Sequence, residues 1–331
     1  MNAIEASWSG WNGLTLLLLP LSALFCLLSA IRRLLYRIGL LSKVYLDVPV
    51  IVVGNITVGG TGKTPLVIWL AEMAQQLGFK PGIVTRGYGG SSDLWPCEVK
   101  QDTSAGQVGD EAVLLRRRTG CPVYAGPDRP AAARQLLIDH QCDLIISDDG
   151  LQHYALSRNL EIAVIDGGRR FGNGLCLPAG PLRERRIRLA ETDLVIVNGI
   201  SKAGEYGMRL KTSDAVALNR RGESKALTEF KSDRVHAVAG IGHPERFFNM
   251  LEGLGLKLER HPFPDHHAFT PGDLHPFSSQ TVLMTEKDAV KCELFAQPNH
   301  WYVPAMAEVD DGFEEALMTL MKRLNNGQKT A

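Results

Sequence analysis

Apolar residues follow two different rhythms along this chain. From Leu14 to Ile31 the run LTLLLLPLSALFCLLSAI carries no charge. Coiled as a helix, it reaches about 27 Å, close to the hydrocarbon thickness of a bilayer. It is apolar on every side, so it does not fit a surface helix with one buried stripe. A membrane helix and a buried core helix both stay open, and Pro20 would kink or shorten either. Arg32, Arg33, Arg37 and Lys43 follow, with no acid between Glu5 and Asp47. The positive-inside rule then puts this flank and everything after it in the cytoplasm. A cleaved signal peptide fits poorly, because the bases lie behind the apolar run. Whether the helix spans the bilayer or embeds in one leaflet stays open.

From about residue 48 short β-rich runs alternate with helical stretches. The expected strands are Val50–Val53, Gly82–Thr85, Pro122–Ala125, Asp143–Ser147, Glu161–Ile165 and Asp193–Asn198, with helices at Pro65–Leu77, Glu111–Arg118 and Ala131–His140. Such alternation predicts a parallel sheet covered on both faces. Periodicity fades around Ser201–Ser232, which reads as a connection. A second series follows, with strands at Val235–Ala239, Gln280–Thr285 and His300–Pro304 and helices near Glu245–Leu254 and Gly312–Leu324. The expectation is an N-terminal membrane-associated segment (1–45), a P-loop NTPase-like α/β domain (46–215) and a smaller α/β lobe (225–331), with a cleft between the lobes.

Composition narrows the function classes. The 331 residues are 45% hydrophobic, and 36 bases balance 36 acids. That excludes a disordered chain, and no global basic field argues for nucleic acid. The six cysteines contain no C-x-x-C pair. This suits free, mostly buried thiols in a reducing compartment.

The segment PVIVVGNITVGGTGKTP carries the clearest chemistry. An apolar strand runs into a glycine-rich turn, Thr57, Val58, Gly59, Gly60, Thr61, Gly62, and then into a helix opened by Lys63 and Thr64. Backbone N–H groups of such a loop curl around phosphate oxygens at a helix N-terminus. Lys63 would neutralise the β- and γ-phosphates of ATP, and the Thr64 hydroxyl would bind Mg2+. Thr57 departs from the first glycine of the strict pattern, and Gly59 and Gly60 compensate. Asp148 and Asp149 follow a second apolar strand, as in a Walker B element. One would hold Mg2+ and the other would position water or substrate. The nearest string to a guanine signature, Thr285–Asp288, lacks its Asn. Val58 stands where membrane-associated switch ATPases carry an extra lysine.

Other residues remain two-sided at this level. Asp110 in VGDE is either a general base for a hydroxyl or a helix cap. His266 and His267 in FPDHH are metal ligands, surface residues or partners orienting a carboxylate, with metal least favoured. The basic stretch from Arg183 to Arg188 is a solvated helix face or an anion clamp. Arg116–Arg118 read as solvated.

These motifs occur together and in one order: the apolar helix, VGNITVGGTGKTP, TRGYGG, VGDE, DDG–LQH, LPAGPLRE and FPDHH. The chain closely resembles the lipid A 4'-kinase (tetraacyldisaccharide 4'-kinase) family of Gram-negative bacteria. The resemblance implies transfer of the ATP γ-phosphate to the 4'-hydroxyl of an acylated disaccharide 1-phosphate, giving lipid IVA, on the cytoplasmic face of the inner membrane and in contact with its lipid. It further implies Asp110 as catalytic base with His266 as its partner and Glu184 supporting the metal shell. Arg129, Gln152, His153 and Arg183 would handle the phosphorylated sugar. The competing expectation is a membrane-anchored P-loop ATPase that switches or carries a partner without forming a lipid phosphate.

Overall fold

The structure is a computed structural model that describes residues 3–220 and 222–325; residues 1–2 of the expected N-terminal segment and 326–331 of the expected C-terminal lobe lie outside them. Eight strands come first: β1 (Val50–Gly54), β2 (Pro81–Thr85), β3 (Cys97–Glu98), β4 (Val123–Ala125), β5 (Leu144–Asp148), β6 (Leu160–Asp166), β7 (Leu194–Asn198) and β8 (Tyr206–Thr212). They lie side by side in the order β8-β7-β6-β1-β5-β2-β4-β3. All pairs are parallel except β3–β4. Every residue of β1, β5 and β6 is buried, as expected of central parallel strands. Strand order reverses at β1, between β5 and β6, so a crevice opens beyond the carboxyl ends of these strands.

The helices of this part are α1 (Ala3–Ser7), α2 (Gly13–Arg37), α3 (Lys63–Gln76), α4 (Ala105–Val108), α5 (Asp110–Thr119) and α6 (Arg129–Asp139). Helices α3 and α5 cover one face of the sheet through Leu66, Leu70, Val113 and Leu115. Helix α6 covers the other with Ala132, Ala133 and Leu136. The strands expected here all form within two residues of their predicted ends.

The second sheet has six strands. It adds β9 (Ala215–Ala217), β10 (Ser224–Lys225), β11 (Arg234–Ala239), β12 (Lys257–Pro262), β13 (Val282–Thr285) and β14 (His300–Val303), in the order β10-β9-β14-β13-β11-β12. Helices α7 (Pro244–Gly253), α8 (Pro271–Leu274) and α9 (Glu286–Cys292) belong to it.

Two parts of the predicted layout need correction. The stretch from Ser201 to Ser232 is no plain connection, because β8, β9 and β10 lie within it. Strand β8 is half exposed and carries Arg209 and Lys211, so no apolar run announces it. The smaller lobe also does not extend to the C-terminus. Strand β15 (Ala305–Val309) pairs antiparallel with β8 as the ninth strand of the large sheet. Helix α10 (Asp311–Asn325) then buries Phe313, Leu317 and Met321 in the core shared with α3.

Helix α2 is not a core helix. Among its described residues only Thr15 and Ser22 are buried, whereas Leu17 is 76% exposed. It is long and apolar enough to cross a membrane. It nevertheless lies along the large lobe. The Ser22 hydroxyl donates to Cys176 O at 2.7 Å, Arg33 meets Glu191 at 3.0 Å, and the Tyr36 and Tyr154 rings lie 6.0 Å apart. Cys26 and Cys176 are disulfide-bonded, which corrects the expectation of free thiols, while Cys97, Cys121, Cys142 and Cys292 are free. A separation of 150 residues leaves no sequence signal for that pair.

Phe313 is fully buried between the Trp69 and Tyr206 rings, with centroids 5.8 and 5.6 Å away. Phe313→Ala is expected to cost about 3–5 kcal/mol through lost contacts and a residual cavity. Urea unfolding of the full chain measures it. A loss below about 1 kcal/mol would show that α10 is not part of the large lobe's core.

Candidate active site

The loop after β1 wraps the start of α3. Gly59 and Gly62 have φ of +96° and +95°. A Cβ would come within 2.9 Å of the Arg169 guanidinium at the first and of the Asn198 amide at the second, so both positions require glycine. Thr57 instead sits in ordinary backbone, pairs with Leu182 in an antiparallel bridge, and is followed by Val58 N–H donating to Pro181 O at 2.9 Å. The first glycine of the strict pattern is therefore unnecessary here. The LPAGPLRE segment forms the outer wall of the loop.

Strand β5 delivers Asp148 and Asp149 beside β1. Lys63 Nζ lies 3.4 Å from Asp149, and one guanidinium nitrogen of Arg183 contacts both Asp149 oxygens at 3.0 and 2.9 Å. Burial pushes the Asp149 carboxyl up, but Lys63 and Arg183 outweigh it and hold it far below the usual range. Asp148 is the opposite case. It is fully buried, and neither carboxylate oxygen has a hydrogen-bond partner among the described residues. Burial, with help from the Glu111 charge, raises its pKa to about 7. Orphaned hard oxygens close enough to feel the Lys63 charge fit Mg2+, which takes one or two carboxylates together with water and phosphate oxygens.

The residues expected to handle substrate divide. Arg183 and Gln152 line the loop, but Arg129 is fully buried and donates to Gly126 O and Asp148 O at 2.8 and 2.9 Å. It props the backbone under Asp148 and has no surface for a sugar. Burial holds the half-buried His153 down near 4, so it is neutral at pH 7. Both Glu184 oxygens are engaged, one by Gln152 Nε2 at 2.9 Å and the other by the Tyr154 hydroxyl. Gln152 also donates to Asn55 O at 3.0 Å, so Glu184 ties the outer wall to the loop instead of standing open to a cation. The basic stretch is neither a solvated face nor a full clamp. Arg188 is buried against Glu161 at 2.5 Å, and Arg186 lies 4.5 Å over the Phe171 ring. Arg117 and Arg118, expected to be solvated, pair with Glu293 and Glu286 across the lobes.

Asp110 opens α5 at the same edge of the sheet. It is 4% exposed, and His266 Nδ1 lies 3.2 Å from its Oδ2. His267 turns away to Asp273 at 3.3 Å, so His266 is the imidazole that meets Asp110. Asp110 Oδ1 also accepts from Glu111 N–H at 2.8 Å, so it fills part of the capping role from inside the helix. Burial pushes its pKa up, but the His266 hydrogen bond and the Lys287 and Lys291 charges bring it below the usual carboxylate range. Lys287 Nζ lies 3.3 Å from His266 Nε2 and 3.1 Å from Glu111. An ammonium only donates, so Nε2 accepts and Nδ1 carries its hydrogen toward Asp110.

Sequence reasoning missed Lys287, Lys291, Asp166 and Arg246. Lys287 lies in Thr285–Asp288, a string that resembles only an incomplete guanine signature. Buried Asp166, at the end of β6, meets Arg246 of α7 at 2.6 Å and Arg169 at 3.2 Å. Arg169 in turn donates to Gly60 O at 3.0 Å. An acid ending a parallel strand was the available signal, used for β5 and not for β6.

Asp148 makes stability pH-dependent. Neutral in the fold up to about pH 7 but ionised above about pH 4 when unfolded, it stabilises below pH 4 and that contribution is lost as pH rises through 7. In chelator, Asp148→Asn is expected to flatten this decline and to melt above the parent at pH 8. Thermal melts from pH 4 to 8 measure it. Parallel curves for the two proteins would mean that Asp148 is ionised in the fold throughout.

The tetraacyldisaccharide-1-P 4'-kinase family profile matches residues 14–322. A tetraacyldisaccharide 4'-kinase of Methylobacillus flagellatus is 53% identical over 97% of this chain and 96% of its own length. One of Nitrosococcus oceani is 51% identical over 93% and 90%. The solved LpxK structure from Aquifex aeolicus, in complex with ATP, superposes with a TM-score of 0.77 at 28% identity, covering 94% of this chain and 99% of that one. A match over nearly the whole chain, with relatives identical at about half of their positions, shows that the chain belongs to the tetraacyldisaccharide-1-P 4'-kinase family.

Proposed function

We propose that the chain transfers the γ-phosphoryl group of ATP to the 4'-hydroxyl of a tetraacylated disaccharide 1-phosphate, forming lipid IVA in lipid A biosynthesis. Relatives about 50% identical over most of the chain carry that activity in their names. The observation that carries the mechanism is the Asp110–His266 contact, made between lobes at the edge of the sheet that also holds the phosphate loop. A switch ATPase needs no such pair.

Phosphoryl transfer depends on position and charge more than on covalent chemistry. The loop amides and Lys63 receive the ATP phosphates, and Lys63 exchanges its contact with Asp149 for the γ-phosphate. Thr64, Asp148 and Asp149 would hold Mg2+, which supplies positive charge to the transferring group. Asp110, ionised at neutral pH, orients the acceptor hydroxyl and takes its proton as the new bond forms. His266 fixes the carboxylate from the other lobe, and Lys287 fixes His266. Arg183, Gln152 and His153 line the approach for the sugar. The two lobes act as units, with residues 46–212 and 305–325 forming the larger and 215–303 the smaller.

Helix α2 lies in the cytoplasmic leaflet of the inner membrane, its exposed leucines among acyl chains and Arg32, Arg33, Arg37 and Lys43 facing anionic headgroups. A helix docked along the lobe from Ser22 to Tyr36 fits embedding better than crossing.

Asp110→Ala and His266→Ala are each expected to lower kcat by about 10²–10⁴-fold. Their double variant should be little worse than the poorer single one, with ATP affinity nearly unchanged. Radiolabelled ATP with the lipid disaccharide acceptor reads the product directly, and additive losses would assign the two residues separate tasks. Replacing Leu17, Leu21, Leu24 and Leu28 by Ser should release the protein from liposomes while retaining ATP binding. Full sedimentation of that variant would place the membrane contact elsewhere.

A further inference from the structure

We propose that His236, Glu259 and His261 form a binding site for a divalent transition-metal ion of the zinc kind on the edge of the smaller sheet. The sheet register puts them together. His236 of β11 stands directly opposite Glu259 of β12, and His261 lies two residues further on the same face. One ligand atom from each falls within 4.8 Å of the others. His236 Nδ1 is 2.9 Å from His261 Nε2 and 4.0 Å from Glu259 Oε2. Ligand atoms about 2.0–2.1 Å from a tetrahedral ion sit roughly 3.3 Å apart, so the first distance opens and the second closes by well under 1 Å.

The surroundings favour a ligand set over a simple pair of histidines. Gln280 Oε1 contacts His236 Nε2. An amide oxygen only accepts, so Nε2 carries the hydrogen and Nδ1 presents its lone pair toward His261 and Glu259. An outer partner that fixes the tautomer in this way is the usual support of a metal-bound histidine. The Phe277 ring, 4.5 Å from His236 and 4.2 Å from His261, packs against both imidazoles. Among the described residues Glu259 also pairs with Arg234 at 3.2 Å, in an exposed pair that is easily exchanged. Two imidazoles and one carboxylate suit zinc, cobalt or nickel and discriminate against magnesium, so this site is distinct in chemistry from the carboxylates of the phosphate loop. Strand β12 is an edge strand that runs directly into the loop bearing His266, and an ion here would clamp it to β11.

The test uses the full-length chain without a histidine tag, chelator-treated and held in excess Mg2+, titrated with Co2+ and followed by visible absorption. One equivalent should give the intense d–d bands of low-coordinate cobalt, and Zn2+ should displace it. Gln280→Ala should weaken Co2+ binding about 10–100-fold, His261→Asn and the surface change Glu259→Gln should abolish the bands, and Asp148→Asn should leave them intact. Absence of bands in the parent overturns the site, as does their survival in folded His261→Asn or their loss in Asp148→Asn.

Discussion

Negative charge gathered at one edge of a parallel sheet is the constraint around which this molecule is built. Strands β5 and β6 end in Asp148 and Asp166, Asp149 follows the first, and α5 opens with Asp110; Asp149 is half-buried and the other three are buried. Buried carboxylates are costly unless paired. Their cations come from separate parts of the chain: Lys63 and Arg183 for Asp149, Arg246 and Arg169 for Asp166, Lys287 and Lys291 around Asp110. The second lobe contributes Arg246, Lys287, Lys291 and His266, so its docking is in large part a neutralisation of the first lobe's edge. Asp148 alone has no such partner on its oxygens, and that imbalance marks where phosphate chemistry needs an added cation.

What could be read in the sequence follows from how local each signal is. The strand, glycine turn and helix of the phosphate loop lie within a few residues of one another, so composition and spacing suffice. Strands β1, β5 and β6 are dominated by apolar residues and are legible nearly to the residue. Strand β8 was missed because its partners are remote: β15 reaches it from almost a hundred residues downstream, and half of its own side chains face water. The disulfide between Cys26 and Cys176, and the pairing of Arg117 and Arg118 with α9, are likewise products of folding without a local signature.

The candidate site divides in the same way. Types and spacing were enough for Lys63, Thr64, Asp148 and Asp149, and the family resemblance supplied Asp110 with His266. Burial was the missing quantity for Arg129 and Glu184. Both were expected near ligands, and both turn out to be turned inward to internal contacts. A motif reports which residues matter to a region, but not which way each one faces.

The return of the chain to the large sheet has a mechanical consequence. The polypeptide leaves that sheet between Thr212 and Ala215 and re-enters it between Val303 and Ala305, and Thr212 and Ala305 are themselves paired neighbours on β8 and β15. The smaller lobe is thus carried on two adjacent tethers and not on one. A body held by a single strand can twist and tumble, whereas two side-by-side pins leave chiefly one motion, a swing about the line that joins them. His266 and Arg246 both belong to the smaller lobe, so a swing about that line would part His266 from Asp110 and Arg246 from Asp166 together. The pairs of Arg117 with Glu293 and Arg118 with Glu286 cross the same boundary, so such a swing would have to release all four contacts in one movement.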